Sequence, residues 1–253
     1  MKNYWKELNE RLTKEELNKR PSLFRIVYLL VPVLIYYIVA DVTEVILWFL
    51  INFLYRGATD ETIVRVSAYS YTIKGLIYSV GIVVSIIFLK RMVLNEIEYQ
   101  DEAKEAKKLN FVKILAIVVL SALTSYALNV AFNYTGFTGS SSSFQSVHDA
   151  QFSLDLVSSF VLYGLLSPVM EEIIFRGILY NRMKRVFPIA VSIIVSSFLF
   201  GVYHANLVQG VYGTIMGLII VMVYERMNSF ISAVIFHSVA NITVLVLNYT
   251  IWK

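Results

Sequence analysis

Residues 154–181 read LDLVSSFVLYGLLSPVMEEIIFRGILYN, and the reading of this stretch decides the fold. It is long and apolar enough to cross a bilayer, for which about 20 residues suffice, yet its second half carries Glu171, Glu172 and Arg176. Ionisable side chains inside a span are costly and by default mark a function. Pro168 deprives the carbonyl of Gly164 of its helical donor and predicts a bend beside the charges. Glu171 and Glu172 point about 100° apart on a helix. Glu172 and Arg176 share one face at i,i+4 spacing and are expected to pair. One carboxylate is then neutralised and the other is available.

The rest of the chain has the same character. Of 253 residues, 57% are hydrophobic and 16% charged, with a mean hydropathy of +0.65; soluble domains carry roughly a quarter charged residues. Soluble enzymes and nucleic-acid binders are excluded. The absence of cysteine removes disulfides, thiolate nucleophiles and Cys-based metal sites. Apolar runs predict seven spans, at roughly 26–55, 69–89, 111–131, 154–181, 187–204, 208–224 and 229–248. The expected fold is an all-α integral membrane bundle of about seven transmembrane helices, with the active site buried among the last four. The first run is too long for a cleaved signal peptide and is expected to stay as an anchor.

Basic residues report orientation. Eighteen of the 22 lysines and arginines fall in the N-terminal tail, the 90–113 loop, the 176–185 stretch and at Arg226. That alternation places the N-terminus in the cytoplasm and the C-terminus outside a cell membrane, and it accounts for the net charge of +4. Residues 1–25 are expected to form a cytoplasmic interfacial segment, with Trp5, Leu8 and Leu12 on one helical face. Residues 26–131 hold three spans, and 95–109 within them read as a solvated charged connector. Residues 132–153 form an outer Gly/Ser-rich loop expected to be mobile, with His148 a solvated surface residue, and 154–253 form a core of four spans. Asp41 and Glu44 read as an outer-interface or helix-break feature.

Depth lets the buried polar residues meet. The turn between the fourth and fifth spans is expected at Phe187-Pro188, because proline starts helices and cannot continue them. Glu171 lies 16 residues before Phe187 and His204 16 after Pro188, each ~24 Å along its helix from the turn. His237, ~12 Å into the seventh span from the same side, reaches a similar zone, and Asn241 shares its face at i,i+4. Gly177 and Gly201 permit close helix approach. A buried glutamate suits a general base for water, one imidazole can position that water, and a second with an amide can stabilise an oxyanion. Such parts fit hydrolysis of an amide bond inside the membrane.

Glu171-Glu172-x-x-x-Arg176, Phe200-x-x-x-His204 and His237-x-x-x-Asn241, in this order on successive spans, resemble the motifs of the CPBP intramembrane proteases. That family includes the CAAX prenyl endopeptidases and bacterial abortive-infection-like membrane proteases. The resemblance covers about residues 154–248, and no motif position departs from the pattern. It implies an endopeptidase with Glu171 as water-activating base and His204 as its partner. His237 and Asn241 would form the oxyanion pair, with Glu172 and Arg176 in support.

A Glu/His/His set can also hold zinc, with Glu171, His204 and His237 as the ligands. No His-Glu-x-x-His is present, and no acid is evident behind each histidine, so metal-free hydrolysis without a cofactor is expected. The expected partners are a membrane-embedded or lipophilic peptide or protein substrate and the lipid bilayer, with no nucleic acid. Two rivals remain. One is a non-catalytic binding partner that keeps the fold, as in bacteriocin self-immunity or envelope assembly. The other, a transporter using Asp41, Glu44 and Lys74, gains nothing from internal repeats, since none is visible.

Overall fold

The computed structural model describes residues 4–56, 70–103, 109–139, 141–152 and 155–251. Two short helices, α1 (Tyr4–Asn9) and α2 (Lys14–Asn18), precede the long α3 (Ser22–Leu54) and α4 (Ser70–Ala103). Then come α5 (Phe111–Tyr134), α6 (Ser142–Phe152), α7 (Leu156–Val186), α8 (Ile189–Val202), α9 (Leu207–Met227) and α10 (Phe230–Thr250). No strand occurs among the described residues. The chain is an all-α, multi-pass integral membrane protein.

All seven apolar runs are helical, but they are not equal as spans. Five helices among the described residues are long and apolar enough to cross a membrane: α3, α5, α7, α9 and α10. The expected count of seven is therefore not reached on that criterion. At 14 residues, or ~21 Å, α8 is shorter than the ~30 Å hydrocarbon core. α4 is 34 residues long, and several of its side chains, Lys74 among them, lie outside those described. The outward faces carry Leu23, Leu34, Phe49, Val112 and Leu123, each more than half exposed. Such a belt would aggregate in water; lipid covers it without cost.

Hydroxyl groups and glycines set the packing. Ser121 and Ser125 of α5 donate to the backbone carbonyls of Phe236 and Ala240 on α10, at 2.5 and 2.9 Å, the small polar contacts by which membrane helices associate. α8 and α9 approach through Gly201: a Cβ there would collide with the side chain of Thr214 and the carbonyl of Gly210. Asp155 caps the start of α7. The Ser158 hydroxyl and backbone N–H hold its carboxyl below the ordinary aspartate range.

Several peripheral expectations are corrected. Leu8, Leu12 and Leu17 do not face lipid; they are buried against Tyr28, Leu89 and Met183, so residues 4–20 form a strap docked on the bundle. The side chain of Trp5 lies outside those described. Glu96, expected on a solvated connector, is 1% exposed. It accepts from Arg182 Nε at 3.0 Å and from Arg185 at 2.7 and 2.8 Å. Arg182, itself fully buried, also donates to the carbonyls of Tyr28 and Leu8 at 2.7 and 3.0 Å. The Leu8 carbonyl is free because α1 ends at Asn9, and that of Tyr28 because Pro32, four residues on in α3, has no N–H to donate.

At the other end, the segment expected as a loose loop holds α6. His148 pins it down: Nε2 lies 2.9 Å from Asn248 Oδ1 and the ring packs 4.5 Å from that of Phe152. Asp41 and Glu44 do not break α3, which runs unbroken through them.

Candidate active site

α7, α10 and the turn after α8 deliver the site. Glu171 and Glu172 lie on a regular α-helical stretch, Ser167–Glu172, between two π-helical segments, Phe160–Leu166 and Ile173–Tyr180. A π turn accommodates an extra residue and often marks a functional place. Here the Ser167 N–H reaches the Leu162 carbonyl, five residues back. A widened turn thus stands where Pro168 predicted a bend. Gly164 brings α7 close to α10, where an added Cβ would meet Ile242 at 3.1 Å.

Glu171 is 5% exposed, and its Oε1 accepts from the Ser167 hydroxyl at 2.5 Å. Its Oε2 lies 3.8 Å from His237 Nε2. Glu172, fully buried, accepts with a single oxygen, Oε1, from Arg176 at 3.0 Å and from His237 Nδ1 at 2.8 Å. Arg176 also donates to the Gly217 carbonyl at 3.1 Å and lies 4.5 Å over the Phe200 ring. The expected Glu172–Arg176 pair is present, and it reaches one partner further than expected. An acid does stand behind His237, contrary to the sequence reading, because Glu172 faces α10.

His204 is not on a helix. α8 ends at Val202, and His204 occupies the turn 203–206, where Ala205 takes the left-handed conformation (φ +56°) and Asn206 caps α9 through the Gln209 N–H. Its Nδ1 lies 3.0 Å from the Phe200 carbonyl. A carbonyl only accepts, so Nδ1 carries a hydrogen, and the tautomer that satisfies this contact presents its lone pair at Nε2. The ring rests against Gly213, where a Cβ would lie 3.2 Å from Nδ1. Asn241 donates through Nδ2 to the Tyr163 carbonyl at 2.9 Å, and one amide hydrogen remains free. His237 and Asn241 therefore do not aim their bonded nitrogens at one common point.

Glu171, His204, His237 and Asn241 nonetheless line one cavity of ≈830 Å³, with Glu172 and Arg176 behind it. Ser167 and Tyr163, which the sequence reading missed, line it too. The i,i+4 spacing of Ser167 and Glu171 was the available signal for the first. The carbonyl role of Tyr163 has no side-chain signature. Among the described residues, no three His, Cys, Asp or Glu side chains gather closely enough to hold a metal ion. The zinc alternative, Glu171 with His204 and His237, does not assemble as a ligand set in this arrangement.

Comparison with known proteins divides the chain. The family model for GPI transamidase subunit PIG-U matches residues 1–159, ending before the first of the convergent residues. UPF0177 protein YxdF of Lactococcus lactis subsp. lactis is 26% identical over 130 residues, covering 51% of this chain and 72% of that protein. No solved structure matches. The model for type II CAAX prenyl endopeptidase Rce1-like proteins matches residues 153–243, the stretch holding all six residues just described. By its motifs, their convergence and this match, the region 153–243 is similar to the Rce1-like family of CAAX-protease-type membrane proteins.

Proposed function

We propose that the protein is an intramembrane endopeptidase that hydrolyses a peptide bond of a membrane-embedded or lipophilic substrate in the cell membrane. The observation that carries this reading is Glu171, oriented by Ser167 at one oxygen and facing His237 with the other, in a cavity that also admits His204 and Asn241. Glu171 takes a proton from water, and the oxygen attacks the scissile carbonyl. The nitrogen leaves with the proton returned by Glu171, giving one carboxylic acid and one amine. His204 suits the water-positioning role, since its Nε2 lone pair can accept from that water. His237 and the free amide hydrogen of Asn241 stabilise the oxyanion. For His237 this requires a hydrogen on Nε2, the ring being held in place through Nδ1 by Glu172 Oε1.

No step needs a metal, and none is assigned. The basic-residue distribution supports a cytoplasmic N-terminus. The decisive test is processing of a native substrate by Glu171→Gln and His204→Ala variants, with membrane insertion checked in parallel. Both should lose processing while still folding in the membrane, and the parent should keep it in chelator. Full biological activity in both variants would support the non-catalytic binding partner instead.

A further inference from the structure

The cavity is open at one end of the bundle and closed at the other. Its wall runs from Glu171 past Asp41 and Glu44 of α3 to Thr138, Gln145 and Asn248. Those last residues sit on the segment after α5, on α6 and near the end of α10. The opposite end is plugged. There Arg182, Arg185 and Glu96 interlock with Tyr28 and the strap, and Arg182 and Glu96 are 0% and 1% exposed. Along α7, Arg182 lies eleven residues beyond Glu171, ~16 Å. Along α3, Tyr28 and Asp41 are thirteen residues apart, ~20 Å. The plug and the mouth are therefore at opposite ends.

Charge adds an independent reading of which end is which. The plugged end holds the strap and the Arg182–Arg185 cluster, where Lys and Arg concentrate. No described residue lining the cavity is Lys or Arg. By the positive-inside rule, the mouth faces away from the cytoplasm. Its rim offers hydroxyl and amide groups, Thr138 and Gln145 among them, the partners an extended peptide backbone needs.

We infer that the cavity is filled from the extracytoplasmic face, so that the scissile segment is a peptide presented at the outer side of the bilayer. This rests on the endopeptidase reading for its substrate, but not for its geometry. The natural chain has no cysteine, so single-cysteine variants report access directly. Gln145→Cys at the mouth, Val244→Cys on the deeper wall and Lys14→Cys on the strap are treated in intact cells with a small membrane-impermeant methanethiosulfonate. The expected result is modification of Gln145→Cys and Val244→Cys in intact cells, and of Lys14→Cys only after permeabilisation. Modification of Lys14→Cys alone in intact cells overturns the inference, as does a Val244→Cys that reacts from the strap side or from neither side. Modification does not depend on catalysis. An inactive protein with the expected pattern would sink the endopeptidase reading alone, and an active one with the reversed pattern would sink this inference alone.

Discussion

Glu172 is the residue on which the site turns. One of its oxygens holds both Arg176 and His237, so it couples an ion pair to an imidazole with no water in between. Removing one member of a buried pair strands the other charge, at a cost on the order of 3–5 kcal/mol. Arg176→Met should therefore lower the thermal midpoint in detergent sharply. The double variant Glu172→Gln/Arg176→Met should recover part of that loss, because no charge is left unpaired. A single variant as stable as the parent would count against the coupling. The Glu172–Arg176 contact was legible in the sequence, since i,i+4 spacing is a property of one helix. The Glu172–His237 contact was not. It joins residues 65 apart and depends on how α10 is rotated against the π-widened α7, which apolar spacing does not encode.

Among the elements, the pair α8 and α9 shows what positions a catalytic group that no helix carries. His204 stands in a turn, and its ring is steadied by the Phe200 carbonyl on one side and by the bare backbone of Gly213 below. Gly213→Ala would press a methyl on Nδ1 and tilt the ring. A displacement of about 1 Å costs catalysis up to about a hundredfold. We expect processing to fall by about tenfold or more with little change in thermal midpoint; a fully active Gly213→Ala would show that the ring has room. Apolar run length located all seven helical segments, because the cost of exposing backbone to lipid demands helices there. It could not find where α8 stops, since the break after Val202 is made by the left-handed Ala205 and the Asn206 cap, neither of which registers in the length of an apolar run. The same method left 142–152 as a loop, because its helix is held by His148 and its neighbours rather than by an apolar stripe.

Across the whole molecule, the strap is held by charges buried as deeply as those of the site. Glu96 balances Arg182 and Arg185, and Glu96→Ala would leave both cations without a counter-charge. The strap should then detach, and limited proteolysis should cut within residues 4–20 much faster than in the parent. Lys19→Ala, which removes only the exposed pair with Glu15, should leave the rate unchanged, as surface pairs contribute little. Equal cutting rates in all three proteins would mean the strap is held by its leucines alone. Nothing in the composition of residues 1–25 distinguished a strap docked on protein from one lying on lipid, for the same leucines serve either surface.

The Arg182 bonds to the carbonyls of Leu8 and Tyr28 also impose an order on biosynthesis. Leu8 leaves the ribosome 174 residues ahead of the guanidinium that will hold it. At 5–20 residues per second, that is a wait of roughly ten to thirty-five seconds. The strap is thus made well before it can be fastened, and until Arg182 emerges it has only transient company.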